Sequence, residues 1–187
     1  MTPFQGVEEG SIPFTRSRMT TQSTLSPYHP VVTQIIDLLE TNSFRYETFE
    51  HEPVRTSEEA AKIRNGYTIQ QGAKAIIIRV KVSSANKRFV MLVMPGDKRF
   101  DNDKIKTLFK AKNIRFATEE EVLEITSGVQ PGGVPPFGNL FDLEVIVDPL
   151  LLENEKIIFN AGDRRFSIGM LSTDYLKLVK PLVSSLV

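Results

Sequence analysis

The stretch Gly132-Gly133-Val134-Pro135-Pro136-Phe137-Gly138 constrains this chain more than any other. Its glycines reach φ > 0 and let a ligand approach the backbone, while its prolines fix φ and remove donors. Together they specify a shaped loop rather than a long flexible one. The N–H groups of Gly132, Gly133 and Val134 are then free to point at a ligand. Hydrolysis of an acyl ester needs such a wall, because preorganised N–H donors stabilise the charge that develops on the carbonyl oxygen. The same composition also suits an ordinary turn between a helix and a strand, so the loop alone does not decide.

The rest of the composition limits which chemistry such a loop can serve. The chain has 187 residues, enough for one domain with a real core. It has no cysteine and two histidines, His29 and His51. Disulfides, thiolate nucleophiles, cysteine-ligated zinc and multi-histidine metal sites are thereby excluded. No secretory signal pattern opens the sequence and no apolar run is long enough to span a bilayer, so a cytoplasmic protein is expected. Net charge is zero, yet residues 79–115 carry 11 basic and 3 acidic side chains. Such a basic middle suits a nucleic-acid face, or a solvated surface whose charge is cancelled by acids brought near on folding.

Residues 1–27, rich in Thr, Ser, Gln and Pro, read as a flexible tail, leaving 28–187 as the domain. Pro30 opens a helix whose buried face is Val31, Val32, Ile35, Ile36, Leu38 and Leu39. A strand follows from Phe44 to Glu50, and Thr56 with Glu59 forms a capping-box pattern that opens a short helix. Lys74 stands before the strand Ala75–Val82, which returns through a polar hairpin as Arg88–Met94. Asp101 or Asn102 caps a basic helix with Ile105, Leu108 and Phe109 inward and Lys104, Lys106, Lys110 and Lys112 outward. Ile114–Phe116 reads as a strand, and Thr118 with Glu121 repeats the capping box. Beyond the glycine-proline loop come a strand at 143–147, a short apolar turn at 150–152, and a hairpin across Ala161-Gly162-Asp163. A helix capped by Ser172 ends the chain. Hairpins mixed with peripheral helices give an α+β class.

Several ordered blocks carry a resemblance: Phe49-Glu50-His51-Glu52-Pro53, Thr56 to Ala60, Ala73 to Ile78, and Val93-Met94-Pro95-Gly96-Asp97. Ala117 to Glu121, Gly132 to Gly138, Val147-Asp148 and Ala161 to Arg164 complete the series. In order and spacing, over roughly residues 30–187, the set resembles the YbaK/prolyl-tRNA editing domain family. The resemblance implies a mixed, curled, barrel-like sheet with peripheral helices. It also implies hydrolysis of the ester joining a wrong amino acid to tRNA, most naturally of the tRNA-Pro class. A chain of this length has no room for a synthetase core, so a free-standing, trans-acting deacylase is implied.

Residue by residue, the family lysine falls on Lys74, and the family Gly-x-x-x-Pro loop on Gly132 to Pro136. Lys74, Gly132 and Gly133 are the implied catalytic residues. Phe49, His51, Thr56, Val134, Pro136, Asp148, Asn160 and Ser167 are the implied substrate contacts, and the four helix lysines would hold the tRNA. Ala75, Phe49 and Ser167 depart from residues common in the family, which bears on amino-acid specificity rather than on reaction class. With no metal or cofactor implied, direct attack by water is expected, assisted by the loop N–H groups and Lys74. The implied partners are mischarged tRNA and an aminoacyl-tRNA synthetase, with no membrane and no DNA. Two alternatives share the scaffold: a noncatalytic tRNA- or nucleotide-binding module, and a hydrolase of another small ester or amide.

Overall fold

A computed structural model describes residues 27–54 and 56–187. The tail assigned to residues 1–27 therefore lies outside the described residues except for Pro27. The carbonyl of Pro27 accepts a hydrogen bond from the Arg165 guanidinium at 2.7 Å.

Two sheets form the frame. The smaller has the order β1-β7-β6, from Tyr46–Glu50, Phe166–Leu171 and Lys156–Asp163. The larger has the order β4-β2-β3-β5-β8: Asn113–Phe116, Ala73–Lys81, Lys87–Pro95, Glu144–Val147 and Leu182–Val183. Strands β2 and β3 are apolar on both faces because both faces are covered. Ile77, Met91, Val93, Val145 and Val147 meet Ile157, Phe159, Ile168 and Met170 of the smaller sheet. Helix α1 (Pro30–Thr41) adds Val31, Val32, Ile35 and Leu39 to this core. On the opposite face Ile78, Val80, Val90, Leu92, Met94 and Ile146 pack with Ile105 of helix α3 (Asn102–Phe109).

The class is α+β as expected, but no barrel closes. The sheets stay separate and touch through an isolated bridge between Gly72 and Ile158. Each sheet presents a face to the same core, so packing replaces closure. Other local expectations shift as well. The β6–β7 turn lies at Arg164-Arg165, and Ala161-Gly162-Asp163 continues β6 through an irregularity in its pairing. Ser172 is the first residue of helix α6 (Ser172–Val179) rather than its cap, which is Leu171. The apolar turn at 150–152 is a short helix, α5 (Pro149–Leu152), capped by Asp148. Parallel pairing of β5 with β3 and β8 had no signal in the sequence.

Both capping boxes form. Thr56 and Glu59 start α2 (Ser57–Ile63), and Thr118 and Glu121 start α4 (Glu119–Ile125). Asp101 caps α3 through the N–H groups of Asp103 and Lys104. No helix among the described residues is long and apolar enough to cross a membrane.

Candidate functional site

Strand β4 pairs with β2 only from Ile78 to Lys81, so the edge of β2 before Ile77 has no partner strand among the described residues. A cleft of about 490 Å³ opens along that edge. Helix α2 walls one side with Thr56, Ser57, Ala60, Ala61 and Arg64; the turn Gly96–Arg99 and the loop residues Gly132 and Val134 complete it. Gly96 is required where α2 meets the turn, because a Cβ there would lie 2.8 Å from the Ile69 carbonyl and 3.0 Å from Ser57 Cβ.

Lys74 reaches into this cleft from β2. Its Nζ donates to the Gly96 carbonyl at 3.3 Å and to the Lys98 carbonyl. Partial burial holds its pKa below the ordinary lysine value, with Arg99 acting in the same direction and Glu58 against it. An ammonium has three donors; two are held by carbonyls and the third is free for a ligand.

The glycine-proline loop is anchored at its end and shaped at its start. Phe137 is fully buried against Phe159 and Tyr175, with ring centroids 5.3 Å and 5.7 Å away. The Tyr175 hydroxyl donates to the Pro136 carbonyl at 2.8 Å. At the start, Gly133 N–H donates to the Gln130 carbonyl at 2.8 Å, with Gly132 at φ +87°. Proline second and a positive-φ glycine third are the residues a type II turn demands. This corrects one expectation: the Gly133 N–H is spent in the turn. Gly132 and Val134 N–H have no protein acceptor among the described residues.

Three consecutive carbonyls are held from behind. Arg164 Nε donates to Pro131 O at 2.8 Å, Asn160 Nδ2 to Gly132 O at 2.6 Å, and Gly162 N to Gly133 O at 2.9 Å. Fixing each carbonyl fixes the peptide planes, and so the direction of the free N–H groups.

Asn160, Ser167 and Phe49 stand opposite one another across β6, β7 and β1. His51 continues the Phe49 side of β1, and its Nε2 lies 2.7 Å from Ser167 Oγ. Its Nδ1 lies 2.8 Å from the Glu52 carbonyl and must therefore carry the proton. Neutral Nε2 then accepts from the Ser167 hydroxyl. Burial holds the His51 pKa below its ordinary value, opposed by the Glu52 carbonyl and supported by nearby Arg64.

The cleft thus gathers Lys74, Thr56, Gly132, Val134 and Asn160. Ser167 and His51 stand behind Asn160, and the Phe49 ring meets Tyr67 edge-on at 5.8 Å. Gly133 lies on the far side of the loop, lining a second hollow with Arg164. Pro136 is buried beneath the loop. Asp148 is placed elsewhere: its carboxylate accepts from the N–H groups of Leu150, Leu186 and Val187, tying α5 to the C-terminal segment. Among the helix lysines, Lys104 folds onto Ser185 and the Val187 carbonyl, and Lys106 pairs with Asp103 at 3.7 Å.

Sequence reasoning missed Arg64. It is 6% exposed, donates from Nε to Ser167 Oγ at 3.1 Å and from Nη2 to Asn160 Oδ1 at 2.6 Å. Burial lowers its pKa to about 10, so it stays charged near neutrality. The only local signal was a long basic side chain just past the end of a short amphipathic helix.

The chain is similar to several known proteins. The aminoacyl-tRNA editing domain family matches residues 51–178. The multifunctional Ser/Thr-tRNA deacylase ProXp-y of Escherichia coli (strain K12) is 32% identical over 149 residues, 79% of this chain and 87% of that protein. A proline–tRNA ligase of Bacillus subtilis (strain 168) is 34% identical over 119 residues, 62% of this chain but 20% of the ligase. A solved structure described as a candidate trans-editing enzyme for prolyl tRNA synthetase superposes with a TM-score of 0.70 at 28% identity. It covers 87% of this chain and 98% of that one. This chain is a homologue of aminoacyl-tRNA deacylases and belongs to the aminoacyl-tRNA editing domain family.

Proposed function

We propose that this protein removes a wrongly attached amino acid from tRNA in trans, by metal-independent hydrolysis of the ester in the cleft beside β2. The observation that carries the reading is that Lys74, Gly132 and Val134 line one cleft, and that the N–H groups of Gly132 and Val134 have no protein acceptor among the described residues. The ester carbonyl sits against those N–H groups, which stabilise the tetrahedral oxyanion as water attacks. The remaining Lys74 donor holds the terminal nucleotide as a point charge and orients the ester. An aminoacyl ester is already labile, so positioning and electrostatics supply the acceleration without a covalent intermediate. Thr56 at the start of α2 and Asn160 on β6 bound the amino-acid side, with Ser167 and His51 supporting Asn160.

Coverage of most of the length of ProXp-y supports action in trans, and the match to a proline–tRNA ligase supports a tRNA of the proline class as carrier. The exposed Lys110 and Lys112 beyond the turn of α3 contact the acceptor-stem backbone. A synthetase that releases the mischarged tRNA is the natural partner, and the cytoplasm the natural place. The experiment is a deacylation screen across tRNAs bearing different amino acids. Release of free amino acid above the spontaneous rate supports the reading. Tight tRNA binding with no release from any member would instead make the chain a binding module.

A further inference from the structure

Arg64 carries a charge that the protein does not neutralise. It is 94% buried in effect, at 6% exposure, and no carboxylate lies within ion-pair distance of it among the described residues. Its acceptors are neutral: Ser167 Oγ at Nε and Asn160 Oδ1 at Nη2. Nη1 has no protein acceptor among the described residues. No side-chain nitrogen or oxygen there is both sealed and unpaired, so Nη1 keeps some exposure, and Arg64 lines the cleft. Burying a guanidinium without a counter-charge is costly, and the three of its five N–H groups that lack a protein acceptor are left for water or a ligand in the cleft.

We infer that Arg64 is a specificity-determining residue, donating from Nη1 to the side-chain hydroxyl of the amino acid being removed. The inference rests on the function proposed above and adds the residue that selects the substrate. A guanidinium only donates, so its ligand must offer an oxygen. A hydroxyl also donates, and with the Ser167 hydrogen given to His51, Asn160 Oδ1, which lies 3.2 Å from Ser167 Oγ and accepts from Nη2, keeps one lone pair to receive it. A carboxylate would face the lone pairs of both Asn160 Oδ1 and Ser167 Oγ. A methyl or a proline ring would cover the N–H groups without pairing them. Sites built to bond a substrate hydroxyl reject analogues that lack it far more strongly than apolar pockets reject an extra methylene. Seryl and threonyl esters therefore fit, and alanyl and prolyl esters do not.

The test measures kcat/KM on tRNAs carrying Ser, Thr and Ala, for wild type, Arg64→Met and Arg64→Lys. Wild type should prefer Ser and Thr over Ala. Arg64→Met should lower kcat/KM for Ser and Thr by about 100-fold more than it lowers kcat/KM for Ala. Arg64→Lys, which keeps the charge but lacks the fork, should fall between. Partial unfolding or a loosened loop lowers all three substrates together, so the Ser:Ala ratio reads recognition alone. An equal loss on all three, or an unchanged ratio in both variants, overturns the assignment and leaves the deacylase reading standing. A wild type that prefers Ala also overturns it. A wild type that releases no amino acid from any tRNA overturns both.

Discussion

Asn160 donates from Nδ2 to the carbonyl of Gly132 at 2.6 Å, and so couples strand β6 to the turn that carries the free N–H groups. Its Oδ1 accepts from Arg64 at 2.6 Å, so one amide joins the loop, the sheet and α2. Asn160→Ala should cost about 1–2 kcal/mol in stability, the price of two hydrogen bonds at a half-buried site. Deacylation should fall further than stability does, by about 10–100-fold, because the turn between the two free N–H groups is no longer held. Urea unfolding and single-turnover hydrolysis, run on the same preparation, measure both.

Gly162 shows the same coupling from the backbone. Its φ is +101°, and a Cβ would lie 2.8 Å from both Cβ and Cγ1 of Val31 on α1. Val31 is itself buried and β-branched, so it cannot move aside. Gly162→Ala should destabilise by about 2–4 kcal/mol, seen as a lowered urea midpoint at unchanged m. A midpoint within error of wild type would show that α1 is not packed against β6 as described.

Acid should weaken the protein in two stages. The folded pKa of His51 is lowered from 6.5, first by burial. The unfolded chain therefore binds the proton more readily, and the stability held above pH 6.5 is lost as pH falls through 6.5 toward the folded value. The carboxylates of Glu47 and Asp163, lowered mainly by Lys156 and Arg165, act later, as pH falls below their ordinary range. His51→Gln should flatten the slope that begins as pH falls through 6.5 and leave the lower stage intact. A slope unchanged by the substitution would place the titrating group elsewhere.

The basic face now has a narrower test. Lys104 and Lys106 have local partners, so reversing Lys110 and Lys112 is the informative change. Lys110→Glu with Lys112→Glu should weaken tRNA binding and flatten its salt dependence by about 0.7–0.9 per lost phosphate contact. Turnover at saturating tRNA should hold, because phosphate contacts position and the cleft reacts. An unchanged salt slope would remove this helix from the interface.

What the sequence disclosed was local. Capping boxes at Thr56 and Thr118, the cap at Asp101 (one of the two residues the sequence offered) and the β2–β3 hairpin all depend on residues near in sequence, and each formed. The glycine-proline stretch was legible as a shaped loop, but the type II turn at Pro131-Gly132 that spends the Gly133 N–H was not read from it. Arg64 was illegible because its partners lie 103 and 96 residues away. Asp148 misled because a carboxylate that caps α5 and clamps the C-terminal segment looks, in sequence, like one in a pocket. The barrel came from the resemblance and had no support in the strand pattern, because alternation reports that a face is buried, not which sheet covers it.

Lys74 is where the central claim is most exposed. Its side chain contributes hydrogen bonds to two turn carbonyls and no core packing, so Lys74→Ala should fold with a loss of about 1 kcal/mol or less. The direct measurement is single-turnover release of serine from seryl-tRNA of the proline class, by wild type and by Lys74→Ala, with tRNA affinity measured in parallel. The account predicts release by wild type well above the spontaneous rate, and a loss of about 100-fold or more in the variant at little changed affinity. Release at the wild-type rate by Lys74→Ala would contradict it.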